Sequence, residues 1–431
     1  MNPTPILPNK TINFRLVLIC VAAVSVGLSM ALVSIAKLSL LLGCLLLIVG
    51  ARRSTAPNAD AERHLKTCYT PVAVLIATTA FALSLLWTVA PQADALVSFA
   101  KYGKLVEIVL LMVIIRSRQE AVYALTAFIG GQIFLVTSSW LLFAHVSVPW
   151  ATSYMAVKEH AVFSTYLDQG IMSTVAAAIC WHLRGLAPGR FGKPLAIFLA
   201  LLCVSNVLFV LVGRSGHAAA IALLSLAIMW ELPKKYRGWV VVLPFVIVAI
   251  LFLSSPKVRD RLNLVKSDVQ SYSTQIQPDT SSGIRLELWR TALQSIADHP
   301  VAGSGVGSWS TEYDRLQRIK NPAHKTINAN GNPHQEYLQW GVQLGIPGVL
   351  LFLAFMIAFL RDTLAMETTV ARAAQSTLVA FSVACLFNSS LYDALIGDFF
   401  CVIFGLLLAM GAYPKSKILM GANGTTHVTS P

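Results

Sequence analysis

Residues Trp239-Val240-Val241-Val242-Leu243-Pro244-Phe245-Val246-Ile247-Val248-Ala249-Ile250-Leu251-Phe252-Leu253 form a run without one charged side chain. Such a run goes either into the core of a large soluble protein or into the hydrocarbon of a membrane. Composition decides between them. With 56% hydrophobic residues, 12% charged residues and a mean hydropathy of +0.66, the chain lies far outside the range of soluble domains. In hydrocarbon no water is available to backbone N–H and C=O groups, so each run must satisfy its own hydrogen bonds as a helix. Working outward, comparable runs predict twelve such helices, near 12–31, 34–50, 71–90, 96–115, 121–143, 166–183, 194–212, 216–232, 239–255, 347–361, 374–391 and 396–413. The expected fold is an all-α polytopic membrane protein. The first run lacks a small-residue cleavage site and continues into a second, so it reads as a retained helix rather than a secretory signal.

Charge orients this bundle. With the N-terminus inside, the short cytoplasmic segments carry eighteen Lys and Arg: Lys10, Arg15, Arg52, Arg53, Arg63, Lys66, Arg116, Arg118, Arg184, Arg190, Lys193, Lys234, Lys235, Arg237, Arg361, Arg372, Lys415 and Lys417. The short outer segments carry five, Lys37, Lys101, Lys104, Lys158 and Arg214. This asymmetry places both termini inside and the long loop outside. The net charge of +13 then reads as anchoring to anionic membrane lipid, with no nucleic acid partner implied. All seven cysteines fall in membrane runs or on the inner side, which excludes a disulfide-stapled or thiolate-metal outer domain and leaves them as packing residues.

Four regions follow: membrane helices one to nine over 1–255, an outer loop domain over 256–345, helices ten to twelve over 346–414, and an inner tail over 415–431. A loop of about ninety residues is too long for a connector and should fold as a helical cap. After a polar stretch at 267–282, the apolar residues Ile284, Leu288, Trp289, Ala292, Leu293 and Ile296 recur at helical spacing, predicting an amphipathic helix that lies on the membrane or covers a cavity. The run Gly303-Ser304-Gly305-Val306-Gly307-Ser308 lacks the strand and the Lys-Ser/Thr of nucleotide-binding loops. It serves either as a turn that lets Trp309 pack, or as a set of amides for phosphate oxygens. A second short helix is expected over 311–319.

The third helix of the cap carries the chemistry. Asn332 suits an N-cap, Pro333 a first helical position, and Gln335 a capping-box spacing, so His334 should lie in the first turn. That end favours an anion and disfavours an imidazolium, leaving a ring able to accept a proton. The helix is expected to stop at Gly345 and Pro347.

Two arginines accompany it. Arg214, in Gly213-Arg214-Ser215-Gly216, sits where a membrane-edge cation needs a cavity or an anion. Arg285 opens the amphipathic helix. Two guanidinium groups can clamp a diphosphate, and His334 can take the proton of an attacking hydroxyl. Taken singly, Arg214 reads equally as a headgroup anchor, Arg285 as a solvated loop charge and His334 as a structural histidine. Asp393 and Asp398 either orient Arg214 or His334 or are plain interfacial residues. Lys101 and Lys104 either contact phosphates or snorkel to headgroups. Glu107 faces a cavity or pairs with one of those lysines. His299 and His324 read as surface residues, and His217 as a helix-end packing residue.

From His334 the chain reads His-Gln, nine residues, then Gly345-Ile346-Pro347-Gly348. This resembles the His-[Asn/Ser/Gln]-x9-Gly-x-x-[Gly/Thr/Tyr] signature of the O-antigen ligases and related O-oligosaccharyltransferases. The Gly213-Arg214-Ser215-Gly216 turn and the Arg285-Leu286-Glu287-Leu288-Trp289 segment are also similar. The resemblance implies metal-independent, cofactor-free, inverting glycosyl transfer on the periplasmic face of a Gram-negative inner membrane. Its implied donor is a glycan on undecaprenyl pyrophosphate, and its acceptor a sugar hydroxyl of lipid A-core. Arg214 and Arg285 would bind the donor diphosphate and His334 would activate the acceptor, with Asp393, Lys101 and Lys104 as supporting candidates. Within the same chemistry stand an O-antigen polymerase and a protein O-oligosaccharyltransferase. A different class, a transporter of lipid-linked glycans or anions, would place its polar groups at mid-bilayer; here they crowd one edge.

Overall fold

A computed structural model describes residues 14–51, 67–254, 281–322 and 331–413. The polar stretch over 267–280, His324 and the tail over 415–431 lie outside the described residues. In chain order the described helices are α1 (Phe14–Ser25), α2 (Met30–Ala51), α3 (Thr70–Ser84), α4 (Gln92–Tyr102), α5 (Leu105–Ile114), α6 (Arg118–Phe143), α7 (Tyr154–Glu159), α8 (Tyr166–His182), α9 (Gly192–Ser205), α10 (Arg214–Glu231), α11 (Leu243–Ser254), α12 (Ser281–Asp298), α13 (Trp309–Lys320), α14 (Glu336–Leu364), α15 (Thr368–Phe387) and α16 (Ala394–Ala412). No strand occurs among the described residues. The fold is that of a helical membrane protein.

Five helical segments are long and apolar enough to cross a bilayer: Arg118–Phe143, Gly192–Val210, Glu336–Leu364, Thr368–Phe387 and Ala394–Ala412. Phe14–Ser25, Met30–Cys44 and Thr70–Ser84 are shorter apolar helices. Each of the twelve expected runs is at least partly helical, but length and hydropathy qualify five, so the expected count of about twelve spans is not itself established. One reason is local: the expected 96–115 run breaks into α4 and α5 around Gly103.

Local sequence explains several helix starts. Ser117 caps α6 by accepting from the Glu120 amide at 3.2 Å, and the Glu120 carboxylate accepts from the Arg116 amide at 2.8 Å while pairing with Arg15 of α1. Thr165 caps α8 by accepting from the Asp168 amide at 3.2 Å. At the core stands α16, buried along nearly its whole length and enclosed by α5, α6 and α15. Because lipid is as apolar as leucine, contacts here depend on close packing more than on water exclusion. Phe352, Phe359, Phe381, Phe399, Phe400 and Phe404 interlock around it. Glycine permits a close approach between α8 and α10: a methyl on Gly170 would lie 3.2 Å from the Gly216 Cα.

The cap rests on the bundle through α12, α13 and α14. Leu288 and Ala292 of α12 pack with Trp309 and Val342, while the Ser295 hydroxyl donates to Glu312 at 3.0 Å. The amphipathic helix thus covers α13 and the start of α14. The glycine run is the hinge of this contact. The Ser304 and Gly305 amides donate to the Val342 and Gln343 carbonyls, both at 2.9 Å. Gly307 donates to the Gln343 side chain at 3.0 Å and Val306 to Ser84 at 3.1 Å. These amides are spent on protein acceptors, which removes the expectation that they hold phosphate. The third cap helix ends at Gly345 as expected: the backbone there is non-helical, with φ 70° and ψ −160°, and a second helix runs on from it into the membrane segment, so α14 is two helices joined across a kink. Glycine suits this position, since a Cβ there would lie 2.6 Å from the Pro300 carbonyl oxygen, and the Ile346 amide donates to that carbonyl at 2.8 Å.

Candidate functional site

His334 precedes its helix. The N-cap of α14 is Gln335 rather than Asn332, and His334 holds a left-handed backbone, φ 52°, which a non-glycine residue adopts only when its surroundings impose it. The imposing contact comes from Asn332, whose side-chain oxygen accepts from the His334 amide at 2.9 Å. Asn332 therefore closes a turn and does not cap the helix.

The ring is held from behind. His334 Nδ1 lies 3.0 Å from Asn388 Oδ1, and Asn388 Nδ2 donates to Asp393 Oδ2 at 2.8 Å. Asn332 Nδ2 donates to the other oxygen, Asp393 Oδ1, at 3.1 Å. An ionised carboxylate only accepts, so both amide groups turn their NH2 toward Asp393 and the Asn388 oxygen is left to face the ring. Nδ1 must then carry the proton. In the neutral ring Nε2 is then the nitrogen with the lone pair, as a general base requires. Burial holds the Asp393 carboxyl above its usual range, while His334, Lys104, the Asn388 hydrogen bond and Lys101 pull it back down.

Across the first turn of α8 lies the arginine pair. Arg214 is the first residue of α10, and Arg285 sits in the first turns of α12. Burial, and then repulsion from the neighbouring Arg214, lower the Arg285 guanidinium below its usual value, with Tyr166 acting in the opposite sense. Two cations near enough to repel each other form a setting that a bound polyanion would relieve. The α8 start joins the two halves. A methyl on Gly213 would meet the Tyr166 carbonyl oxygen at 3.1 Å, and Asp168, two residues along, lies in the electrostatic neighbourhood of Asp393.

The remaining candidates divide. Asp393 is linked to His334 through the Asn388 side chain. Asp398 touches neither His334 nor an arginine; it pairs with Lys37 at 2.9 Å. Glu107 pairs with that same Lys37 at 3.3 Å rather than with Lys101 or Lys104. Lys104 neither snorkels nor reaches for phosphate: it is 5% exposed, and its ammonium donates to the Asp393 carbonyl at 2.6 Å. Lys101 stands 4.0 Å over the Tyr392 ring. His217 bonds the Gly213 carbonyl at 2.6 Å, as a packing residue does, and His299 is exposed. Sequence reasoning missed Asn388, Glu336, Tyr166 and Asp168. The polar insert Asn388-Ser389-Ser390 between two apolar runs was the available signal for Asn388. Nothing local marked the other three.

The fold and site together define a helical membrane protein whose polar, ionisable centre gathers at one end of its bundle. Residues 199–353 match a family model described as O-Antigen ligase, so this segment is similar to a superfamily of glycosyltransferase-type ligases and polymerases. The matched segment includes Arg214, Arg285 and His334, whereas Asn388 and Asp393 lie beyond it. The chain is also 28% identical over 159 residues to an uncharacterized protein of Haemophilus influenzae, covering 31% of this chain and 40% of that protein.

Proposed function

We propose that the protein is an O-antigen ligase, transferring a glycan from undecaprenyl pyrophosphate to a sugar hydroxyl of lipid A-core at the periplasmic face of the inner membrane. The observation that carries this reading is the base with its tautomer set, His334 on Asn388 and Asp393, held across one helix start from the Arg214 and Arg285 pair. In the reaction the acceptor oxygen attacks the anomeric carbon from the face opposite the phosphate. The bond from that carbon to the phosphate oxygen breaks, and the diphosphate leaves with the electron pair. His334 Nε2 takes the hydroxyl proton as the new bond forms, while the two guanidiniums hold the donor diphosphate and stabilise the charge that grows on it.

The charge asymmetry of the short segments supports placing both termini inside and the site outside. The division into membrane helices over 1–255, a loop domain over 256–345, closing helices over 346–414 and a tail over 415–431 belongs to the same reading. Reconstitution with an undecaprenyl-pyrophosphate glycan and three acceptors tests it. Extension of lipid A-core supports the ligase. Extension of a second carrier-linked glycan would make the protein a polymerase, extension of a serine-rich peptide a protein O-oligosaccharyltransferase. Movement of the donor across the bilayer without transfer would make it a transporter.

A further inference from the structure

The turn that carries Asn388 and Asp393 is gripped from both sides by ionisable side chains. Glu336, wholly buried, accepts with Oε2 from the Leu391 amide at 2.8 Å and the Tyr392 amide at 3.1 Å. Its other oxygen accepts from Trp340 Nε1 at 2.9 Å. On the opposite side, the Lys104 ammonium donates to the carbonyls of Asp393 at 2.6 Å and Ala394 at 3.3 Å. Between them the Tyr392 hydroxyl bonds Ser98 at 3.0 Å. Gly397 leaves the passage for the lysine, since a methyl there would lie 2.6 Å from its Nζ.

A buried charge is costly unless it is fully hydrogen-bonded, and neutral side chains could satisfy the same backbone groups. A carboxyl oxygen that only accepts, set on the amides, and an ammonium that only donates, set on the carbonyls, do more: they admit one orientation of the turn, and each bond is charge-assisted when its group is ionised. In that orientation the Asp393 side chain points back to both asparagines.

We propose that Glu336 and Lys104 are positioning residues that clamp the 389–394 turn and thereby hold Asn388, and through it the His334 ring, in its working tautomer. The inference rests on the transferase reading for its catalytic meaning, but its first test does not. The groups facing Asp393 are His334 and Glu336 from the α14 side, Lys101 and Lys104 from α4 and its junction with α5, Asp168 from α8 and Cys385 from α15. Lys104 pulls the Asp393 carboxyl down, so loss of its charge raises that carboxyl further.

The first measurement is nitrogen NMR of histidine-labelled full-length protein, with the His334 signal identified by difference against His334→Asn. The Nδ1-protonated form is expected in the wild type, a mixture of both tautomers in Lys104→Met and Glu336→Gln, and recovery in Lys104→Arg. Wild-type tautomer populations in both variants overturn the proposal. Should either variant fail to fold, Gly397→Ala displaces the ammonium more gently, and an unchanged His334 signal there overturns it equally. The second measurement is the pH profile of transfer. Lys104→Met should lower kcat by roughly tenfold with donor KM unchanged, and move the acid limb upward, the shift reversing in Lys104→Arg. A loss of kcat with an unmoved limb would reduce Lys104 to bulk packing and overturn the proposal. Wild-type protein that transfers to no acceptor would sink the transferase reading alone, because the NMR result judges the clamp by itself.

Discussion

At the scale of single residues, the ring of His334 is defined by what lies behind it. Substitution by Asn separates chemistry from folding, because Asn tolerates the left-handed backbone at φ 52° while supplying no base. His334→Asn should keep its fold and donor affinity and lose roughly 10²-fold or more in transfer rate, measured by single-turnover kinetics beside a donor-binding titration. Asp393 supplies the pH dependence. Its ionised form is the one that turns both asparagines, and burial raises its carboxyl, so transfer should fall on acidification at a pH above the ordinary aspartate range of about 3.9. A rate profile flat down to that value would remove Asp393 from the relay. Arg285→Lys keeps the charge and loses the fork, so donor affinity should weaken by about tenfold while kcat is spared, as isothermal titration and saturation kinetics would show.

At the scale of elements, the glycine contacts decide whether the site assembles. α8 and α10 touch through Gly170 and Gly216, and Gly213, the residue before Arg214, lies against Tyr166. Gly216→Leu should push the helices apart and weaken donor binding, with His334 left in place. The cap depends on Gly305, which combines φ 85° with a Cβ position 2.3 Å from the Thr88 Cα. Gly305→Val should cost roughly 2–3 kcal/mol or more in stability and loosen the cap, seen as a lower melting temperature in detergent and faster proteolysis within α12 and α13. The helical nature of these elements was legible in hydrophobic runs, because burial in lipid leaves the backbone one choice. Their ends were less so. The Asn332-Pro333 pair satisfied every local rule for a helix start, yet the asparagine turned its side chain onto the His334 amide and Asp393, and the helix began later. At Gly345 the stop signal held: the helix from Glu336 ends there, and a second one begins with the Ile346 amide bonded to the Pro300 carbonyl.

At the scale of the molecule, the charged candidates separate by where the chain brings them. Lys37, Glu107 and Asp398 lie far apart in sequence and form one cluster, whereas His334, Asn388 and Asp393 form another, and no periodicity in the chain tells the two apart. The topology itself is testable. Cysteines placed at His299 and at Arg190, in a background without the seven native ones, should react with a membrane-impermeant thiol reagent from opposite faces, the first from the periplasm. Labelling of both from one side would refute the orientation inferred from charge.

Composition, apolar runs and the His334 spacing determined by themselves that this is a helical membrane protein, and they named three of the residues at its polar end. That much is local or additive: hydrocarbon acts on each segment independently, and a motif is read along one strand of sequence. Which asparagine faces the ring, which lysine is buried on a carbonyl and which acid pairs elsewhere were decided only by the tertiary structure. Hydrogen bonds between residues some fifty to several hundred positions apart depend on how helices cross and how a turn is gripped, and neither property is carried by any single stretch of the chain.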